Sequence, residues 1–283
     1  MASYLREPLI FISILMIVVA CSTYSGKSFV PVIGGYNEKD KQVFVLQKKL
    51  LEISGIVYLG RDSIAAINDE KGELFLLDLN TNESEKYKFK GKDDYEEVVK
   101  AGNFYYVLES DGDIHEVTTP PDVSVTSFDF PDDSKRIEFE SMVWYKKLNK
   151  LVLITKDHRD QDRVASIDAY SFDLSTKQFD SAKFFQIPMK DVYVKLENYS
   201  SECKPSGAAL NPATNKLFII ASVGKILLEC SPEGKLEKIY KLNPTQFPQP
   251  EGISFADNGD MYISNEGLDG KATILKFPYS GRK

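Results

Sequence analysis

The chain has 283 residues, 42% of them hydrophobic, and carries 42 acidic against 35 basic side chains, for a formal charge of −7 at pH 7. That is enough apolar material for a substantial core in one domain. The acidic balance excludes a surface of clustered Lys and Arg that would neutralise phosphates, so no nucleic-acid partner is expected.

The N-terminus reads as a targeting segment. Arg6 supplies a positive n-region, residues 9–20 are an apolar run, and Val18, Val19 and Ala20 place small residues before Cys21. The run is too short to span a bilayer, which needs about 20 residues, and fits a secretory h-region. It resembles a bacterial lipoprotein signal: residues 1–20 would be removed and Cys21 lipidated, anchoring the protein to a membrane of the bacterial cell envelope, facing the periplasm or the cell surface. Residues 21–42 then follow as the lipidated cysteine and a polar, flexible tether, most of which (22–40) should be dispensable for folding. Of the cysteines only Cys203 and Cys230 remain in the domain. They fall at opposite ends of parallel strands, roughly 16 Å apart at about 3.3 Å per residue, so free thiols are expected.

Residues 43–46 form a short apolar strand with no nearby hairpin partner. Five units follow. The first has strands at 53–57, 63–67, 73–79 and 85–89; the second at 95–98, 104–109, 113–117 and 123–130, with Ser110-Asp111-Gly112 as a hairpin signal. The third has strands at 139–142, 150–155, 164–172 and 178–187, and the fourth at 205–208, 216–221, 225–230 and 236–242. The fifth has only three, at 253–255, 261–264 and 272–277. The aligned residues Ser54, Glu96, Glu140, Ser206 and Glu251 are spaced by 42, 44, 66 and 45, close to the roughly 40–50 residues of a four-stranded propeller blade. The long interval holds one insertion, 188–204. The strand at 43–46 can complete the fifth unit from outside and leave no open edge. The expected fold is all-β: a five-bladed β-propeller of four-stranded antiparallel blades over 43–278, with a tail at 279–283. A sixth blade would have to lie in the tether or the insertion, and neither has enough apolar strand material.

The stretches LEISGIVYLGRDSIAAINDEKGELFLLDL, DYEEVVKAGNFYYVLESDGDIHEV, PSGAALNPATNKLFIIAS and QPEGISFADNGDMYISNEG resemble the SdiA-regulated, YjiK-like family of bacterial propellers. The resemblance implies five blades, a calcium ion in the ring, distant similarity to NHL-repeat propellers and no established biochemical activity.

In a blade the first strand lies innermost, so Ser54, Glu96, Glu140, Ser206 and Glu251 would ring the channel at one rim. Turns between second and third strands add Asn68, Asp69, Glu70, Glu109, Asp111, Asp157, Asn265 and Glu266 on the same face. Two carboxylates about 5 Å apart repel by roughly 3 kcal/mol at an effective dielectric of about 20. A cation, raised pKa values or splaying into water must relieve this. Oxygen-only ligands suit a hard ion, and calcium accepts irregular geometry better than magnesium. Similarity to gluconolactonase-type propellers assigns the ligand role to Glu96, Glu140 and Glu251. Ser54 and Ser206 depart from the acidic pattern, and with Asn68, Glu109, Asp157 and Asn265 they form a second tier, in which Asn68 and Asn265 also fit ordinary turn chemistry. Glu97 should point to the other face of its strand and be indifferent to the ion. Residues 156–163 read as a solvated loop or a wall beside the ring, and His115 as a strand residue. No nucleophile, zinc or phosphate-loop motif occurs. Three functions remain open: an envelope propeller that binds a small-molecule or protein ligand at the acidic rim or acts as a scaffold, a calcium-dependent hydrolase of lactones or phosphoesters using Asp157 or a ring glutamate for the proton, and a purely structural partner in a surface complex.

Overall fold

The computed structural model describes residues 33–118, 120–131, 136–158, 165–196, 202–267 and 270–281. The signal, Cys21, residues 22–32, 159–164 and 197–201 lie outside the described residues. Among those described, no helix is long and apolar enough to cross a membrane.

Strand β1 (Gln42–Val45) is followed by five sheets. The first blade is β2 (Ile53–Gly60), β3 (Ser63–Asn68), β4 (Lys71–Asp78) and β5 (Glu83–Lys88). The second is β6 (Tyr95–Ala101), β7 (Phe104–Glu109), β8 (Ile114–Thr118) and β9 (Val125–Phe128). The third is β10 (Ile137–Tyr145), β11 (Lys150–His158) and β12 (Ser166–Asp173), with β13 (Gln178–Phe179) and β14 (Phe185–Pro188) both on β12. Then come the fourth, β15 (Lys204–Asn211), β16 (Lys216–Val223), β17 (Ile226–Cys230) and β18 (Leu236–Lys241), and the fifth, β19 (Pro250–Phe255), β20 (Met261–Asn265) and β21 (Thr273–Phe277). The inner strands touch in a closed circuit, β2 on β6, β6 on β10, β10 on β15, β15 on β19 and β19 on β2. The molecule is therefore a five-bladed β-propeller of antiparallel sheets. β1 lies antiparallel outside β21, Gln42 opposite Lys276 and Val45 opposite Thr273.

Alternation along each second strand explains the ring. On β3, Ile64 and Ala66 face the fifth blade while Ala65 and Ile67 face the second. On β7, Tyr105 and Val107 face the first blade and Tyr106 and Leu108 the third; β11 splits Leu151 and Leu153 from Val152 and Ile154 in the same way. On β16, Leu217 and Ile219 face one side and Phe218 and Ile220 the other, and on β20 Tyr262 faces away from Met261 and Ile263. Both faces of every sheet are buried, so these strands read as unbroken apolar runs. Five clusters result, one between each pair of neighbouring blades.

The structure differs from the sequence reading in three places. The fourth strand of the third blade is split, because the Asp180 carboxylate takes hydrogen bonds from Lys150 Nζ, at 2.6 Å, and from Ser171 Oγ, and turns the chain out before Phe184 N rejoins Ala169 O. The insertion contains a short helix α1 (Met189–Lys195), which buries Met189 and Val192; two turns without a side-chain cap leave little sequence signal. Gly112, at φ 98°, turns the chain between β7 and β8 as expected, its N–H on Glu109 O. Order also begins ahead of β1. Ile33 and Tyr36 are 4% and 5% exposed, and Tyr36 OH donates to Gly259 O at 2.7 Å while accepting from Asn211 Nδ2 at 2.7 Å. Part of the polar lead segment thus belongs to the domain.

Cys203 and Cys230 are free and buried in the cluster between the third and fourth blades, and burial pushes both thiols up to about 12. A thiol-reactive label should modify neither in the native protein and both after unfolding; rapid native labelling of either, read by mass spectrometry, would contradict this packing.

Candidate metal centre

The first strand of each blade carries a β-bulge at the residue aligned in the sequence. Tyr95 pairs with Glu109 and Glu97 with Leu108, which leaves Glu96 unpaired between them. Glu140 is passed over in the same way between Phe139 and Ser141, Ser206 between Pro205 and Gly207, and Glu251 between Pro250 and Gly252. In the first blade Ser54 and Gly55 both lie between the paired Ile53 and Ile56. A bulge re-aims the extra side chain off the sheet face. Here it turns Glu96, Glu140 and Glu251 into one cavity of about 280 Å³ at the channel mouth.

The wall of this bowl follows a second rule. The residues two positions earlier, Glu52, Asp94, Glu138, Lys204 and Gln249, line it as well, as do Asp69, Glu266, Lys156, Ser222 and Ser54. Carboxylate oxygens of Asp69, Asp94 and Glu96 all lie within 4.8 Å of one another. Glu96 is 8% exposed. Burial, then the charges of Asp94 and Asp69, push its carboxyl well above the usual range. Burial and the contact with Asp94 raise Asp69 to about 7, and burial raises Glu251 to about 7.

The other predicted ligands have partners. Glu140 is held by the Lys156 ammonium, which also sits 3.1 Å from Glu138, and Glu251 accepts from Ser222 Oγ at 3.2 Å. Ser54 Oγ donates to Glu96 O at 2.5 Å and Ser206 Oγ to Pro250 O at 2.7 Å, so each ties its inner strand to the next blade. Asp157 is committed to Lys204 at 2.6 Å, which overcomes the effect of burial and holds its carboxyl low. Glu109 accepts from Lys90 at 2.8 Å and lies 2.7 Å from His115 Nε2; His115 Nδ1 meets Ser127 Oγ at 2.8 Å. The His115 side chain is fully buried, and the network ties the crossing after the first blade to the outer strand of the second. Asn68 and Asn265 end β3 and β20, each with a buried, unpartnered Oδ1.

Glu97, expected to be indifferent to the ion, has structural partners of its own. It is 1% exposed, its Oε1 accepts from Val98 N at 3.0 Å, and backbone N–H groups of Ile56 and Ala208, from two other blades, reach the same carboxylate. It fills the axis beneath the rim. The equivalent positions are Gly55, Ser141, Gly207 and Gly252, and a Cβ on Gly55 would stand 2.3 Å from Glu97 Oε1. One large carboxylate and small neighbours give the bowl a floor. Charge sign is no guide to such a position, because the bulge puts consecutive glutamates on different levels of the axis.

The raised carboxyls set a pH dependence. Each keeps its proton to higher pH in the folded chain than in the unfolded one, where it titrates near 4. Between about pH 4 and 7 the folded chain binds more protons, so their contribution to stability is greatest at the acidic end and is lost as pH rises through the folded value. For Glu251 the span is worth roughly 3 kcal/mol. Metal-free wild type should therefore lose stability relative to Glu251→Gln as pH is raised from about 5 to 7.5; parallel unfolding curves would show that this carboxyl is ordinary.

A closed five-bladed ring with a carboxylate-lined cavity at one mouth defines the class: a small β-propeller. Within that class the chain belongs to the SdiA-regulated family, whose sequence model matches residues 39–268. No curated protein matches the chain. Among solved structures it is similar to glutaminyl cyclase of Myxococcus xanthus, with TM-score 0.56 and 13% identity over 84% of this chain and 95% of that one. It is also similar to a luciferin-regenerating enzyme, with TM-score 0.52 and 10% identity over 85% and 96% of the chains. A calcium-binding protein, regucalcin, of Agrobacterium tumefaciens gives TM-score 0.51 and 11% identity over 82% and 92%. At these identities the likeness is one of fold.

Proposed function

We propose that this chain is a lipid-anchored propeller of the bacterial cell envelope that binds calcium in the bowl and uses the site to hold a small-molecule or protein ligand. The observation that carries the reading is Glu96, nine-tenths buried, with its carboxylate within 4.8 Å of those of Asp69 and Asp94. A buried carboxylate crowded by two others is costly, and a hard cation with oxygen ligands removes that cost. Glu96 would anchor the ion, with Asp69 and Asp94 on one side and Glu251 and Glu140 completing the ring. The regucalcin likeness supports a propeller of this shape as a calcium host. Bound calcium would supply charge neutralisation and could polarise a ligand oxygen; this chain's own groups orient the ligand and close the floor.

A second reading, a calcium-dependent lactonase or phosphoesterase, is favoured by one feature. Glu251, at about 7, is poised to exchange a proton near neutral pH, whereas Asp157, tied to Lys204, is not. Calorimetric titration with calcium, followed by a broad hydrolase screen on the same sample, tests both. Absence of binding at millimolar calcium would remove the first reading, and turnover of a lactone or phosphoester lost in Glu251→Gln would establish the second.

The anchor rests on Val18 to Cys21 in the sequence. Cys21→Ala should lose membrane association and any palmitate label; a variant that keeps both would refute lipidation at this residue.

A further inference from the structure

Among the described residues, Lys156 is the lysine whose ammonium pairs with a ring glutamate. Its Nζ pairs with Glu140 and lies 3.1 Å from Glu138, on a side chain only 26% exposed. Its charge also acts on Glu96 and on Glu251, the two ring glutamates it does not touch. β11 delivers it there: Thr155 faces Phe139 at the bulge, and the next residue clears the sheet and reaches the mouth. Lys204, the other lysine lining the bowl, is held 2.6 Å from Asp157 on the wall.

We propose that Lys156 is a tethered counter-ion: it neutralises part of the ring in the metal-free protein and is expelled when calcium enters, so that the lysine and the ion exclude each other. This rests on the calcium reading above and adds its regulation. Glu140 cannot serve the ammonium and the divalent ion at full strength together, because both draw on the same carboxylate and repel each other across it. The lysine therefore lowers calcium affinity and protects the empty bowl from its own charge. Once expelled, Lys156 stands with Lys204 on one wall beside the ion. Released from Glu140, the Lys156 ammonium is available to an anionic oxygen on the ligand, whereas Lys204 stays paired with Asp157.

Two measurements test this on the whole protein. In the first, Lys156→Gln should bind calcium about tenfold more tightly than wild type and melt lower without calcium, while Lys156→Arg, which keeps the charge, should bind no more tightly than wild type. In the second, which needs no variant, acetylation of the Lys156 amine by a lysine-reactive ester, followed by mass spectrometry, should be several-fold faster in calcium than in chelator. Lys190, remote from the bowl, serves as the reference. If wild type binds calcium but Lys156→Gln binds no tighter and the amine reacts equally in both states, the counter-ion proposal fails alone. If wild type binds no calcium, the metal reading fails and takes this one with it.

Discussion

Glu96→Gln should lower calcium affinity about a hundredfold, or roughly 2.7 kcal/mol at 1.4 kcal/mol per decade. Lys156 acts on this carboxylate only from a distance, without pairing with it, and charge count is the main control on calcium affinity in oxygen sites. The ring is not uniform, so the three glutamates should not respond alike. Glu140→Gln should cost less, because Lys156 already holds that carboxylate, and Glu251→Gln should fall between, since Ser222 holds it only by a neutral hydrogen bond. The metal-free Glu96→Gln protein should be more stable than wild type, and its melting temperature should depend less on calcium, because a ligand bound only by the folded state stabilises by mass action. Titration and melting of the three variants with and without calcium give the order; equal losses, or no loss at Glu96, would mean that the ion is held elsewhere. Glu97→Gln is no neutral control, since that carboxylate is the floor of the bowl.

Deleting residues 22–41 should lower the melting temperature by about 15 °C, although the sequence gives no reason for residues 22–40 to matter. The deletion removes Ile33 and Tyr36, both nearly fully buried, and burial of each is worth about 1.5–3 kcal/mol. In a domain of this size each kcal/mol moves the melting temperature by about 2–4 °C. Deleting residues 22–32 alone should change little. Extending the deletion through 47 also strips β1 from β21 and leaves the ladder from Thr273 to Phe277 open, so aggregation should be added to instability. Identical melting of the 22–32 and 22–41 deletions would show that Ile33 and Tyr36 contribute nothing to the domain.

The five blades were legible because one repeat recurs, and because the second strand of every blade buries both faces and so stays apolar without a break. The rim glutamates were legible for the same reason, as they recur at one position of the repeat. Asp94 was less visible, although it stands two residues before Glu96 and lines the same bowl. Lys156 was hidden in a charged run, KDHRDQDR, that reads as solvated loop; only the register of β11 against β10 reveals where its ammonium goes. The floor at Glu97 could not be read, because a bulge is a backbone property and one extra residue reverses the expected side of its neighbour. Ile33 and Tyr36 were missed because two isolated apolar residues have no period, and their partners Gly259 and Asn211 are far away in the chain.

The site where the lead segment docks fixes how the molecule would be presented. Tyr36 packs on the turn between β19 and β20, at the end of the blade away from Glu251, so the chain joins the ring on the side opposite the bowl. The lipid anchor proposed at Cys21 would therefore attach through this side. So anchored, the propeller would hang by its back, with its charged mouth turned outward to the surrounding fluid, like a cup fixed by its base. Such a cup samples what diffuses past the membrane rather than what lies within it.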